Sequence, residues 1–114
     1  MNDNDIPILK KTYELYKTFH EYRKLIPKQD RFTIYERSEG IILDVTEHIY
    51  HAGYSKTTQK VLILEKASAK LNLLRLLIRL MKETKTLDTK KYVVLQGMID
   101  EIGRMLGGWI RSMQ

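Results

Sequence analysis

Hydrophobic positions in this chain recur at helical spacing from one end to the other, and no stretch of any length alternates as a strand would. The pattern predicts four helices, at about 8–26, 30–52, 57–84 and 89–112. In the first, Tyr13, Tyr16, Phe19 and His20 share a side, with Leu15, Tyr22 and Ile26 adjoining. Pro7 suits a first-turn position and Pro27 ends the helix. In the second, Asp30 is placed to cap the N-terminus, Tyr35, Ile42, Val45 and Ile49 form the core stripe, and Gly53 is a natural C′ residue. Its other face, with Glu36, Asp44 and Glu47, is acidic. Ser55, Thr57 and Thr58 compete to cap the third helix, and Asp88 or Thr89 caps the fourth. The fourth helix aligns Leu95, Met98, Ile99, Ile102, Met105, Leu106, Trp109 and Met113.

Short connections force antiparallel neighbours. The expected fold is therefore all-α, an antiparallel up-and-down four-helix bundle in one domain spanning 1–114. Tyr35, Ile42, Val45, Leu74, Ile78, Leu95, Ile102, Leu106 and Trp109 are expected to be buried in it.

The third helix carries more apolar surface than such a bundle can hide. Between Ala69 and Met81 its apolar positions cover roughly 220° of the circumference, against the ~100° that a helix buried only in its own domain needs. The excess predicts self-association through this helix. Gly103, Gly107 and Gly108 lie inside the fourth helix, each unfavourable by up to about 1 kcal/mol relative to Ala. Close approach of another backbone would explain them. An early helix end at Gly107-Gly108 is the alternative, but Trp109 and Ile110 continue the apolar period.

Charge sharpens the picture. The formal net charge is +6. Residues 1–30 are net +1, 31–54 net −2, 55–87 net +6 and 88–114 net +1. A basic excess confined to one segment points toward a polyanion partner. Arg75 and Arg79 are one turn apart and Lys82 extends their line. Arg104 and Arg111 lie two turns apart on the fourth helix, and Lys66 and Lys70 belong to the same basic segment. These seven are the candidate nucleic-acid-binding residues. For Arg75 and Arg79 an ion pair with the second helix or with a neighbouring subunit remains open. Most of the seven tyrosines fall at core spacing, which leaves base stacking as the lesser reading.

Catalytic chemistry has little to stand on. His48 and His51 stand one turn apart beside Glu47, a spacing that can chelate a metal, but without an evident third ligand. His20 reads as a core-edge residue. Asp100 and Glu101 diverge by about 100° on a helix and form no carboxylate pair. There is no Gly-rich phosphate loop and no nucleophile elbow, so no enzyme, cofactor or metal site is expected. The chain has no cysteine, which fits a reducing, cytoplasmic setting. The acidic start, Met1-Asn2-Asp3-Asn4-Asp5, does not read as a signal peptide, and no run reaches the ~18 apolar residues of a membrane span.

Three motifs carry a family resemblance. Pro27-Lys28-Gln29-Asp30-Arg31-Phe32-Thr33-Ile34 resembles the start of helix two in the accessory variability determinant (Avd-like) family of diversity-generating retroelements. The Leu/Arg-rich run 71–80 is similar to that family's third helix. Asp100-Glu101-Ile102-Gly103-Arg104-Met105-Leu106-Gly107-Gly108-Trp109-Ile110 resembles its C-terminal signature, the most specific of the three. The resemblance implies a four-helix bundle assembled as a barrel-shaped homopentamer. It also implies a basic surface that binds RNA or cDNA, and association with the reverse transcriptase during mutagenic cDNA synthesis. Related proteins encoded in ribosomal-RNA intervening sequences share the bundle. This chain departs from them at Tyr35-Glu36-Arg37-Ser38-Glu39-Gly40, where that branch has a basic, Ala-rich run.

Overall fold

The computed structural model describes residues 5–114; the acidic start at residues 1–4 lies outside them. Four long helices account for nearly all of it: α1 (Asp5–Tyr22), α3 (Ile34–Tyr54), α4 (Thr57–Glu83) and α5 (Thr89–Ser112). A one-turn helix, α2 (Lys28–Arg31), lies between the first two. No strand occurs among the described residues. α1 packs on α3, α3 on α4, α4 on α5, and α5 returns to α1, closing a four-helix ring about 43 × 22 × 19 Å. The long dimension is close to the ~40 Å expected of a 27-residue helix such as α4 at about 1.5 Å per residue.

All nine residues expected in the core are buried, Trp109 included. α5 does not stop at Gly107-Gly108; it runs through Trp109 to Ser112. Tyr35 illustrates how polar groups enter this core. Its ring stacks on Phe19 with centroids 4.4 Å apart, and its hydroxyl donates to the Phe19 carbonyl at 2.7 Å. Burial, reinforced by the nearby Glu39 carboxylate, pushes the Tyr35 phenol up to about 12.

The core face of α1 differs from the expected one. Ile8, Thr12, Leu15 and Phe19 turn inward, while Tyr13 and His20 are exposed and Tyr16 lies between. The 4-3-4 spacing of the inward set wins over aromatic content. Thr12 is tolerated because its hydroxyl donates to the Leu9 carbonyl at 2.8 Å. His20 is thus a surface residue stacked on Tyr16, not a core-edge one. The tyrosines divide: Tyr35 is buried and Tyr16, Tyr22 and Tyr92 pack against the core, as most were expected to, whereas Tyr13, Tyr50 and Tyr54 are exposed.

Helix ends also differ from expectation. α1 gives way at Tyr22 to a 3-10 turn, Arg23–Leu25, and Ile26 is extended (φ −80°, ψ 133°), as a residue before proline prefers. The Arg31 guanidinium donates to the carbonyls of Ile26 at 2.9 Å and Lys24 at 3.4 Å, locking this corner. Asp30 does not cap α3. It sits inside α2 and accepts a hydrogen bond from the Thr86 hydroxyl at 3.1 Å, tying the corner to the α4–α5 connection. α3 starts after Thr33 without a side-chain cap and passes through Gly53 to Tyr54. At α4 the cap position is Lys56, and none of the three hydroxyl candidates fills it. Asp88 does cap α5: its carboxylate accepts from the Lys91 amide at 2.8 Å and pairs with the Lys91 ammonium. Those two hydrogen bonds hold the Asp88 carboxyl below the usual carboxylate range.

A candidate nucleic-acid interface

The seven candidate cations do not form one patch. α4 lies between α3 and α5, and its basic residues divide between the two sides. Lys70 pairs with Asp44 of α3 at 3.2 Å, and Lys66 stands one turn before it on that side. Arg75, Arg79 and Lys82 lie roughly opposite, toward α5. There the Arg75 guanidinium pairs with Asp100 at 3.1 Å and donates to the Asn72 side chain at 2.6 Å. Its backbone carbonyl accepts from Gln96 at 3.1 Å. Arg75 is therefore a cross-link between α4 and α5. The ion-pair alternative for it holds, with a partner on α5 instead of the second helix.

Arg79 is freer, reaching Glu83 only at 4.0 Å with both side chains exposed. Lys82 lies over the Tyr92 ring at 5.0 Å. Asn72, Arg75, Arg79, Tyr92, Gln96 and Asp100 line one groove between the two helices. Arg104 points outward from α5 without an ion pair among the described residues. The Arg111 guanidinium folds back over Gly107, 3.2 Å from where a Cβ there would stand. Gly103 likewise makes room for side chains, Arg75 at 3.2 Å and Leu71 at 3.6 Å. Gly108 faces open space. Within the chain, then, these three glycines accommodate no second backbone.

The outward face of α4 carries an apolar stripe beside exposed Glu65, Asn72, Arg79 and Glu83. Leu71, Leu74, Ile78 and Met81 turn into the core, but Leu62, Leu76 and Leu80 remain 59%, 50% and 43% exposed. With Ala69 and half-buried Leu73, they follow a 7-4-3-4 spacing that keeps them on one stripe. The wide apolar arc thus divides into a buried half and an uncovered half.

A second concentration of charge lies at the end of the bundle where α1 leaves and α4 turns into α5. Segments 20–31 and 82–91 meet there through the Asp30–Thr86 hydrogen bond and through Lys91, which lies 5.9 Å over the Tyr22 ring. Together they hold eight Lys/Arg against four Asp/Glu. The signal was present in the sequence as two separate basic clusters; the fold joins them.

His48 and His51 stand on the side and end of α3, and no group of three or more metal-binding side chains occurs among the described residues. No described helix is long and apolar enough to cross a membrane.

The structure is that of an antiparallel four-helix bundle with cationic edges and a leucine stripe left uncovered in the single chain. The family model described as bAvd-like matches residues 6–113, and the chain belongs to that family. A search of curated proteins returned no match.

Proposed function

We propose that this chain is a non-catalytic accessory protein of a diversity-generating retroelement. In this reading it binds template RNA or cDNA through its cationic surface and associates with the reverse transcriptase as a homo-oligomer, a pentamer by family resemblance. The observation that carries the reading is family membership over nearly the whole chain. The net charge of +6 and the uncovered leucines of α4 support its two physical requirements, a polyanion partner and an assembly surface. Binding would be mainly electrostatic, because lysines and arginines are offered without a base-reading module.

A second reading is a nucleic-acid-independent scaffold of the same bundle type. The Arg75–Asp100 pair favours it, since that arginine is occupied within the chain. Co-expression with the reverse transcriptase encoded at the same locus, followed by size-exclusion chromatography and an RNA-binding titration, separates the two. A stable complex and salt-dependent RNA binding are expected of the accessory factor. Neither would be seen if the scaffold reading is right.

A further inference from the structure

We propose that the bundle end formed by the 23–31 corner and the α4–α5 connection docks the sugar-phosphate backbone of single-stranded RNA. The inference rests on the nucleic-acid reading above and assigns it a surface away from the helix groove of Arg75. Three of the four acidic residues at this end have close partners, and the fourth, Glu83, has a distant one. Glu21 pairs with Lys24 at 3.6 Å, Asp30 accepts from Thr86, Glu83 lies near Arg79, and Asp88 caps α5 and pairs with Lys91. Lys28, Lys85 and Lys90 are exposed and have no ion pair among the described residues. The bundle is about 20 Å across, by its 22 and 19 Å extents. A nucleic-acid strand carries one charge per ~3.4 Å in a duplex geometry, so several phosphates can cross this end together.

Two further observations point to a strand instead of a diffuse counterion cloud. Phe32 is 69% exposed beside the corner, with the Arg23 guanidinium 5.5 Å over its ring, a flat platform on which a base can stack. Lys85 has φ 63°, the one non-glycine residue with positive φ among those described. That left-handed position after a helix normally goes to Gly or Asn. Here a lysine occupies it at the tip of the turn, where Thr86 N–H closes on the Met81 carbonyl at 2.8 Å. A cation is thus held outward at the expense of the residue type that fits the backbone best.

Anisotropy titrations of labelled single-stranded RNA with the full chain test the proposal. Lys28→Ala/Lys85→Gly/Lys90→Ala removes three unpaired cations from this end. Lys10→Ala/Lys56→Ala/Lys60→Ala removes three from the opposite end. At about 0.7 per phosphate contact, the first variant should flatten the slope of log affinity against log salt by about 2, and the second by less than one contact. Glycine at 85 should preserve or raise the thermal midpoint, so weakened binding cannot be ascribed to unfolding. Lys28→Ala/Lys90→Ala, which leaves the turn intact, should give about two-thirds of the slope change. Equal losses from both triple variants, or none from the first, would overturn this placement while the nucleic-acid reading stands. Absence of RNA binding by the unmodified chain, with or without adsorption to anionic vesicles, would overturn both.

Discussion

Replacing Leu76 and Leu80 by glutamine should dismantle the proposed homo-oligomer while leaving the bundle folded. Both side chains are about half exposed in the single chain, so each retains roughly half of its ~1.5–3 kcal/mol burial free energy for a partner to collect. That is about 1 kcal/mol per leucine and about 2 kcal/mol per copy of α4. At about 1.4 kcal/mol per factor of ten, each interface should weaken by about thirty-fold, and more if the amides are buried unpaired. Glutamine is as good a helix former as leucine, and neither position belongs to the buried stripe of Leu74, Ile78 and Met81. Sedimentation velocity over a concentration series reads assembly, and circular dichroism reads the helices. The unmodified chain should sediment as an oligomer at micromolar concentration, and the variant should dissociate with its helicity unchanged. A monomeric unmodified chain, or a variant that assembles as tightly as the parent, would refute the argument from the uncovered stripe.

Other outcomes follow from single contacts. Stability should fall as pH rises from about 10 toward 12, because the folded chain keeps the Tyr35 proton after the unfolded chain has lost its own; Tyr35→Phe should flatten that dependence in alkaline thermal melts. The same substitution deletes the buried hydrogen bond to Phe19 and should destabilise the bundle at neutral pH by about 1 kcal/mol. A double-mutant cycle on Arg75→Ala and Asp100→Ala, read by denaturant unfolding, should give a coupling of ~0.2–1 kcal/mol, and zero coupling would free Arg75 for other partners. Gly108→Ala meets nothing within 4 Å and should stabilise an isolated chain by up to about 1 kcal/mol; if it instead weakens sedimenting oligomers, another subunit approaches α5 there.

The elements legible in the sequence were those whose signal is local. α5 shows its cap, because Asp88 directly precedes the apolar period and its carboxylate reaches an amide only three residues on. Its core stripe, from Leu95 to Trp109, repeats often enough to override three glycines. The corner between α1 and α3 was not legible, because Asp30 spends its carboxylate on Thr86, 56 residues away, and not on the amides that follow it. The buried face of α1 is hidden in the sequence for a related reason. Weighing residues by aromatic size favours Tyr13, whereas the helix can bury only one rank, and Ile8, Thr12, Leu15 and Phe19 form a rank that packs. Arg75 shows the same limit at the candidate site. Its spacing to Arg79 is visible in the sequence, but the rotation that sets it against Asp100 of α5 is a property of the packed pair.

Charge behaves in the same way as packing: its meaning is fixed where separate segments meet. Divided along the chain, the excess belongs to residues 55–87, and a line of cations along one helix looks like the binding surface. In the fold that line is split between the α3 and α5 sides of α4 and partly neutralised, at Lys70 by Asp44 and at Arg75 by Asp100. Three cations without ion pairs among the described residues, Lys28, Lys85 and Lys90, stand instead where the 23–31 corner touches the α4–α5 connection. This end is distinct from the leucine stripe, which runs along the side of α4. The two surfaces therefore do not compete for the same residues. Copies packed side by side through α4 with their long axes aligned would bring every such end to one rim. Closed cyclic symmetry would then multiply a modest local charge into a ring without burying any of its lysines.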